Sequence, residues 1–123
     1  MATIGFSLVV NVLVAGFFGV TLAFGLSRVV PNADAVFGPD SPSRRILACL
    51  YLAIAAVSVV ALVDPQKRVP IVLVLFPLQI FYKVLTVFVV TDRRNPVPWS
   101  NLAISVLHAA SLWIALGRPG LAE

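Results

Sequence analysis

Apolar residues run along this chain in four long blocks separated by short polar ones. The first extends from about Ile4 to Ser27 and the second from about Ile46 to Val63, neither with a formal charge. The third, Val69 to Thr91, contains Pro77 and Lys83, and the fourth, Val97 to Gly117, contains His108. Crossing a hydrocarbon core of about 30 Å takes roughly 20 apolar residues in a helix, close to the length of each block. The pattern therefore predicts an all-α, polytopic integral membrane protein. Its spans fall at about 4–27, 46–63, 69–91 and 97–117, in a single transmembrane four-helix unit over 1–123.

The polar breaks carry their own structural signals. Asp64-Pro65-Gln66-Lys67-Arg68 and Asp92-Arg93-Arg94-Asn95-Pro96 read as tight turns, which makes the second, third and fourth helices antiparallel neighbours in an up-down bundle. Asn95 before Pro96 suits the N-cap and first position of a helix. The longer break, Arg28 to Arg45, has room for one interfacial turn at Asn32–Phe37, with Val36 and Phe37 reaching into the headgroups. The first block is read as an uncleaved span, not a signal peptide. Met1, Ala2 and Thr3 carry no positive charge, and its apolar run exceeds the roughly 7–15 residues of a signal-peptide core. Pro77 removes a backbone donor inside the third span and is expected to bend it.

Composition sharpens the class. Hydrophobic residues make up 60% of the 123 and charged residues 11%, with a mean hydropathy of +1.03. Soluble domains carry about 25% charge, so a soluble enzyme, a disordered tail and a nucleic-acid-binding module are excluded. Most of the net charge of +4 comes from residues between the apolar blocks, where it orients the chain in the bilayer and calls for no nucleic acid. Arg28, Arg44, Arg45, Arg93 and Arg94 share one face, against Lys67, Arg68 and Arg118 on the other. That asymmetry places the arginine-rich loops in the cytoplasm and both termini outside, in a multi-pass protein of the cell membrane. The arginines also suit contact with anionic lipid. Trp99 and Trp113, about 21 Å apart along one helix, suit the two interfacial belts.

Candidate chemistry lies in the polar residues inside the spans, because burying them in lipid costs free energy. Lys83 is the only formal charge well inside a span, and no Asp or Glu lies in any span to pair with it. Lys83 can snorkel toward the Thr91 end of its span, whereas the lean of helical side chains toward their own N-terminus points it deeper into the bilayer. Gln79, Lys83 and Thr86 share one face of the third helix, and Asn101, Ser105 and His108 one face of the fourth. Counting depth from the shared turn puts Gln79 level with His108, Lys83 with Ser105 and Asn101 near Thr86. Counting from the opposite face brings Asn11 and Ser58 within a few residues of Gln79 and His108, with Tyr51 nearer Lys83. The candidate seam is thus Asn11, Tyr51, Gln79, Lys83, Ser105 and His108.

No metal motif is present, and one histidine cannot by itself give a bis-histidine haem, so the sequence implies no particular cofactor. Four-span multidrug transporters are similar in length, but their chemistry uses a glutamate in the first helix, and the first span here has no acid. Ala15, Gly16, Gly19 and Ala23 give the first helix a smooth face for close packing, within the bundle or against another chain. These features lead to the expectation of a small non-catalytic membrane subunit, packing against a larger membrane complex or a second copy of itself. The alternative is a membrane protein or enzyme that binds a lipid or small molecule in a pocket around Gln79, Lys83 and His108. A small transporter ranks below both.

Overall fold

The computed structural model describes residues 1–117, so Arg118, counted above in the charge asymmetry, lies outside the described residues. The chain forms α1 (Ala2–Ala23), a 3-10 turn (Ser27–Val29), α2 (Ala33–Phe37), α3 (Pro42–Val63), α4 (Pro65–Val89) and α5 (Pro96–Leu116). Helices α1, α3, α4 and α5 are each long and apolar enough to cross a membrane, as in a multi-pass membrane protein.

Local chemistry sets where each helix begins and ends. Ser41, Asp64 and Asn95 sit at three N-caps, each followed by proline at the start of the helix. Their side chains accept from Arg44 N–H, from Gln66 and Lys67 N–H, and from Val97 N–H, respectively, satisfying donors that have no partner inside the helix. The cap at Ser41 starts α3 four residues before the apolar block begins. Asp64 also meets the Lys67 ammonium at 3.2 Å, which holds its carboxyl below the usual carboxylate range. At the other end of α1, Gly25 adopts φ +71° and Leu26 N–H reaches back to the Thr21 carbonyl at 2.8 Å. That left-handed stop ends the helix about a turn earlier than its hydropathy implies. Helix α4 continues through both Pro70 and Pro77.

Helix α1 packs mainly on α3 and α4 mainly on α5, while α3–α4 and α1–α5 contacts close the bundle. Cross-helix pairs run in opposite directions throughout. Gln79 meets His108 and Lys83 meets Asn101; Ser7 meets Ser111 and Asn11 meets His108. Neighbouring helices are therefore antiparallel.

Three zones follow one another across the bundle. Ile4, Leu8, Ala61, Val72, Leu75, Phe76 and Ala115 form an apolar core at the end holding the α3–α4 turn. A buried polar belt occupies the middle. At the other end, toward α2 and the α4–α5 turn, the bundle opens into a cavity. The outer faces are apolar, with Leu13, Val74, Phe81, Phe88 and Trp113 all exposed, as a lipid solvent requires.

Candidate functional site

The polar belt is joined by hydrogen bonds from four helices. His108 is fully buried, and its Nε2 lies 2.7 Å from Gln79 Oε1 and 3.0 Å from Asn11 Oδ1. Both partners are acceptors, so Nε2 carries the ring hydrogen. Asn11 in turn donates to Ser58 Oγ at 3.2 Å, which ties α1 to α3. The imidazole stacks on Phe76, with centroids 4.3 Å apart and planes 9° from parallel. One turn toward the apolar core, the Ser7 and Ser111 hydroxyls are 2.6 Å apart.

A second cluster lies on the cavity side of the belt. Lys83 Nζ donates to Asn101 Oδ1 at 3.1 Å, and Asn101 Nδ2 donates to Thr86 Oγ1 at 3.1 Å. Of the two directions the sequence leaves open, Lys83 takes the one toward the nearer membrane face: its methylene stem carries the ammonium one turn along to the Asn101 amide oxygen. One detail differs from the sequence reading. Ser105, expected beside Lys83, is buried but donates to its own helix at Asn101 O, 2.8 Å away. A serine hydroxyl in a helix readily bonds the carbonyl one turn back.

The cavity has a volume of about 290 Å³. Asn11 and Gln79 line its deep end; Lys83, Asn101, Tyr51 and Tyr82 line its flank. Val36 and Phe37 of α2 contribute to the mouth. These two residues were expected to reach into headgroups. Instead, Phe37 packs on Phe18 at 5.3 Å and edge-on to Tyr51 at 6.5 Å. Helix α2 is held there by Arg44, which donates to Asp34 at 2.8 Å and to Gly38 O at 2.7 Å, and by Asn95, which donates to Val36 O at 2.9 Å. Arg44 is thus a buried brace. Arg45 pairs with Asp40 through two bonds of 2.8 and 2.9 Å, which keeps that carboxyl below the usual carboxylate range.

The bonding around the cavity is lopsided. Asn11 and Asn101 have both ends of their amides engaged. Gln79 is fully buried and its oxygen accepts from His108, yet its Nε2 has no partner among the described residues. Tyr82 OH has none either. Lys83 uses one of its three N–H groups on a side chain. Among the amides that line the cavity, the oxygens are engaged and the unpaired group is a donor; His108 Nδ1, also without a partner, belongs to a residue that does not line the cavity.

Of the six residues singled out in the sequence, Asn11, Gln79 and His108 meet directly, and Lys83 and Tyr51 face the same cavity as Asn11 and Gln79. Ser105 stays outside that network. Tyr82 and the α2 roof were missed. Tyr82 lies three residues from Gln79 on the same helical face, a signal masked by the apolar residues around it. Comparisons with protein-family models, curated proteins and solved structures find no match to this chain.

Proposed function

We propose that this chain is a multi-pass binding protein of the cell membrane that holds a small amphiphile in its intramembrane cavity. In this reading both termini are non-cytoplasmic and the cavity lies in the cytoplasmic half of the bilayer. The observation that carries it is the pairing of an apolar-walled cavity with buried donors left over at its polar end. A buried polar group without a partner costs about 1–3 kcal/mol, so an occupant that accepts those hydrogen bonds recovers that free energy. Apolar walls with a few convergent polar groups are the usual form of a small-molecule site.

Phe17 and Ser100 are cavity-lining residues on α1 and α5, and both are exposed. Among the described residues no hydrogen bond joins α1 to α5 beyond Asn11 on that side. In this reading the cavity meets lipid between these two helices, which gives a tail its way out. A role as a non-catalytic subunit of a larger complex has less in the geometry to draw on. The small residues Gly16 and Gly19, which suit a helix–helix contact, face Ala55 and Leu52 of α3 in the same chain.

Native mass spectrometry of the protein released from nanodiscs tests the proposal. The wild type should carry a bound amphiphile of defined mass, and Ala15→Phe, which fills the cavity, should lose it while remaining folded by circular dichroism. Equal retention by both would overturn the assignment of the cavity as the site.

A further inference from the structure

We infer that the amphiphile's head is a carboxylate, held by Lys83, Gln79 and Tyr82, and that the ligand is a single-chain fatty acid. The inference rests on the cavity being an amphiphile site and names the chemistry of the occupant.

The donor inventory comes first. Two N–H groups of Lys83, two on Gln79 Nε2 and the Tyr82 hydroxyl are left over on three residues that line one space. The amide acceptors lining it, on Asn11, Asn101 and Gln79, are already engaged. A head that can only donate, such as an ammonium, finds few partners there. A carboxylate offers two oxygens with about four lone-pair positions and needs only donors.

Charge points the same way. Lys83 is 7% exposed and hydrogen-bonded to a neutral amide, and no acid lies within α1, α3, α4 or α5. Asp34 and Asp40 are paired with Arg44 and Arg45, Asp64 with Lys67 at the opposite face, and Asp92 accepts from Arg94 N–H. An entering anion is therefore the partner that Lys83 lacks among the described residues. The membrane face nearest the cavity carries Arg28, Arg44, Arg45, Arg93 and Arg94 against Asp34, Asp40 and Asp92, a balance that attracts anions.

Size selects the single chain. At about 290 Å³ the cavity sits at the lower end of small-molecule sites, which run roughly 300–1,000 Å³. It admits a carboxylate head and the first part of one tail, with the remainder lying in lipid beyond Phe17 and Ser100. That volume suits one tail better than a two-chain phospholipid headgroup with its glycerol.

Competition for photolabelling in phosphatidylcholine nanodiscs tests the inference. Palmitate bearing a terminal diazirine should label the chain saturably. Unlabelled palmitate should compete about tenfold better than methyl palmitate, the difference expected from one charge-assisted contact. Lys83→Met should abolish that preference, and Tyr82→Phe, which removes one hydroxyl, should weaken palmitate about threefold. Equal competition by acid and ester would overturn the carboxylate head and leave an amphiphile site standing. Stronger competition by hexadecyl phosphate would overturn it in favour of a phosphate. Failure of the acid and ester probes alike to label saturably would overturn both the head assignment and the amphiphile site.

Discussion

His108 shows how one buried side chain orders its neighbours. Its Nε2–H lies between Gln79 Oε1 and Asn11 Oδ1, and by engaging both oxygens it leaves the Gln79 amide nitrogen without a partner among the described residues. Replacing it with leucine leaves two buried carbonyl oxygens unpaired. His108→Leu should therefore lower stability by about 1–3 kcal/mol in a denaturation assay in bicelles. A Gln79→Leu/His108→Leu pair should cost less than the sum of the single changes, since the pair removes donor and acceptor together. Strict additivity would show that the 2.7 Å contact contributes nothing. The meeting of Gln79 with His108 was legible from residue spacing, because both ends of that contact are fixed by helix register. The bond from Lys83 to Asn101 was not, because a side chain with four rotatable carbons chooses its partner after the helices have packed.

At the scale of the helices, glycines in the same element play different parts. A Cβ on Gly19 would lie 2.8 Å from Leu52 Cγ and 3.1 Å from the Leu52 backbone nitrogen, whereas one on Gly5 meets nothing within 4 Å. Alanine in a helix gains about 1 kcal/mol over glycine, and overpacking costs about 1–3 kcal/mol. Gly5→Ala should thus stabilise the bundle slightly and Gly19→Ala destabilise it, with Gly19→Val worse again in the same thermal assay. The reverse order would refute the close α1–α3 approach. The small residues of α1 were visible in the sequence, but the helix they face was not, since lipid and protein surfaces both accept a smooth stripe. Of the helix starts, the Asn95 cap was legible, whereas Ser41 and Asp64, which also precede a proline and cap through their own side chains, start α3 and α4 four residues before the apolar blocks.

The whole molecule is arranged in depth, with an apolar core at one end, a hydrogen-bonded belt in the middle and a donor-lined cavity at the other. Closure of the ring between α1 and α5 is the contact that brings the belt together, and it joins residues about a hundred positions apart in sequence, such as Ser7 and Ser111. In a Cys49→Ala background, Ser7→Cys with Ser111→Cys should form a disulfide under mild oxidation, because the two hydroxyls are 2.6 Å apart. Ser7→Cys with Ser105→Cys should not, since six residues of helix separate the two α5 positions by about 9 Å. Non-reducing electrophoresis reads both outcomes. Cross-linking of the second pair alone would mean a different register between α1 and α5.

Sequence by itself determined the solvent, the number of spans, their antiparallel order through the two short turns and the polar faces of α4 and α5. These follow from hydrophobic length, from caps and prolines, and from helical periodicity, all properties of neighbouring residues. Only the tertiary structure decided that α1 closes against α5, that α2 folds over the bundle end on Arg44 and Asn95, and that the Gln79 amide nitrogen is left without a partner. Those outcomes depend on which side chains compete for which partners across helices. The +1.03 mean hydropathy says that polar groups must be buried together; packing determines which of them are left unpaired.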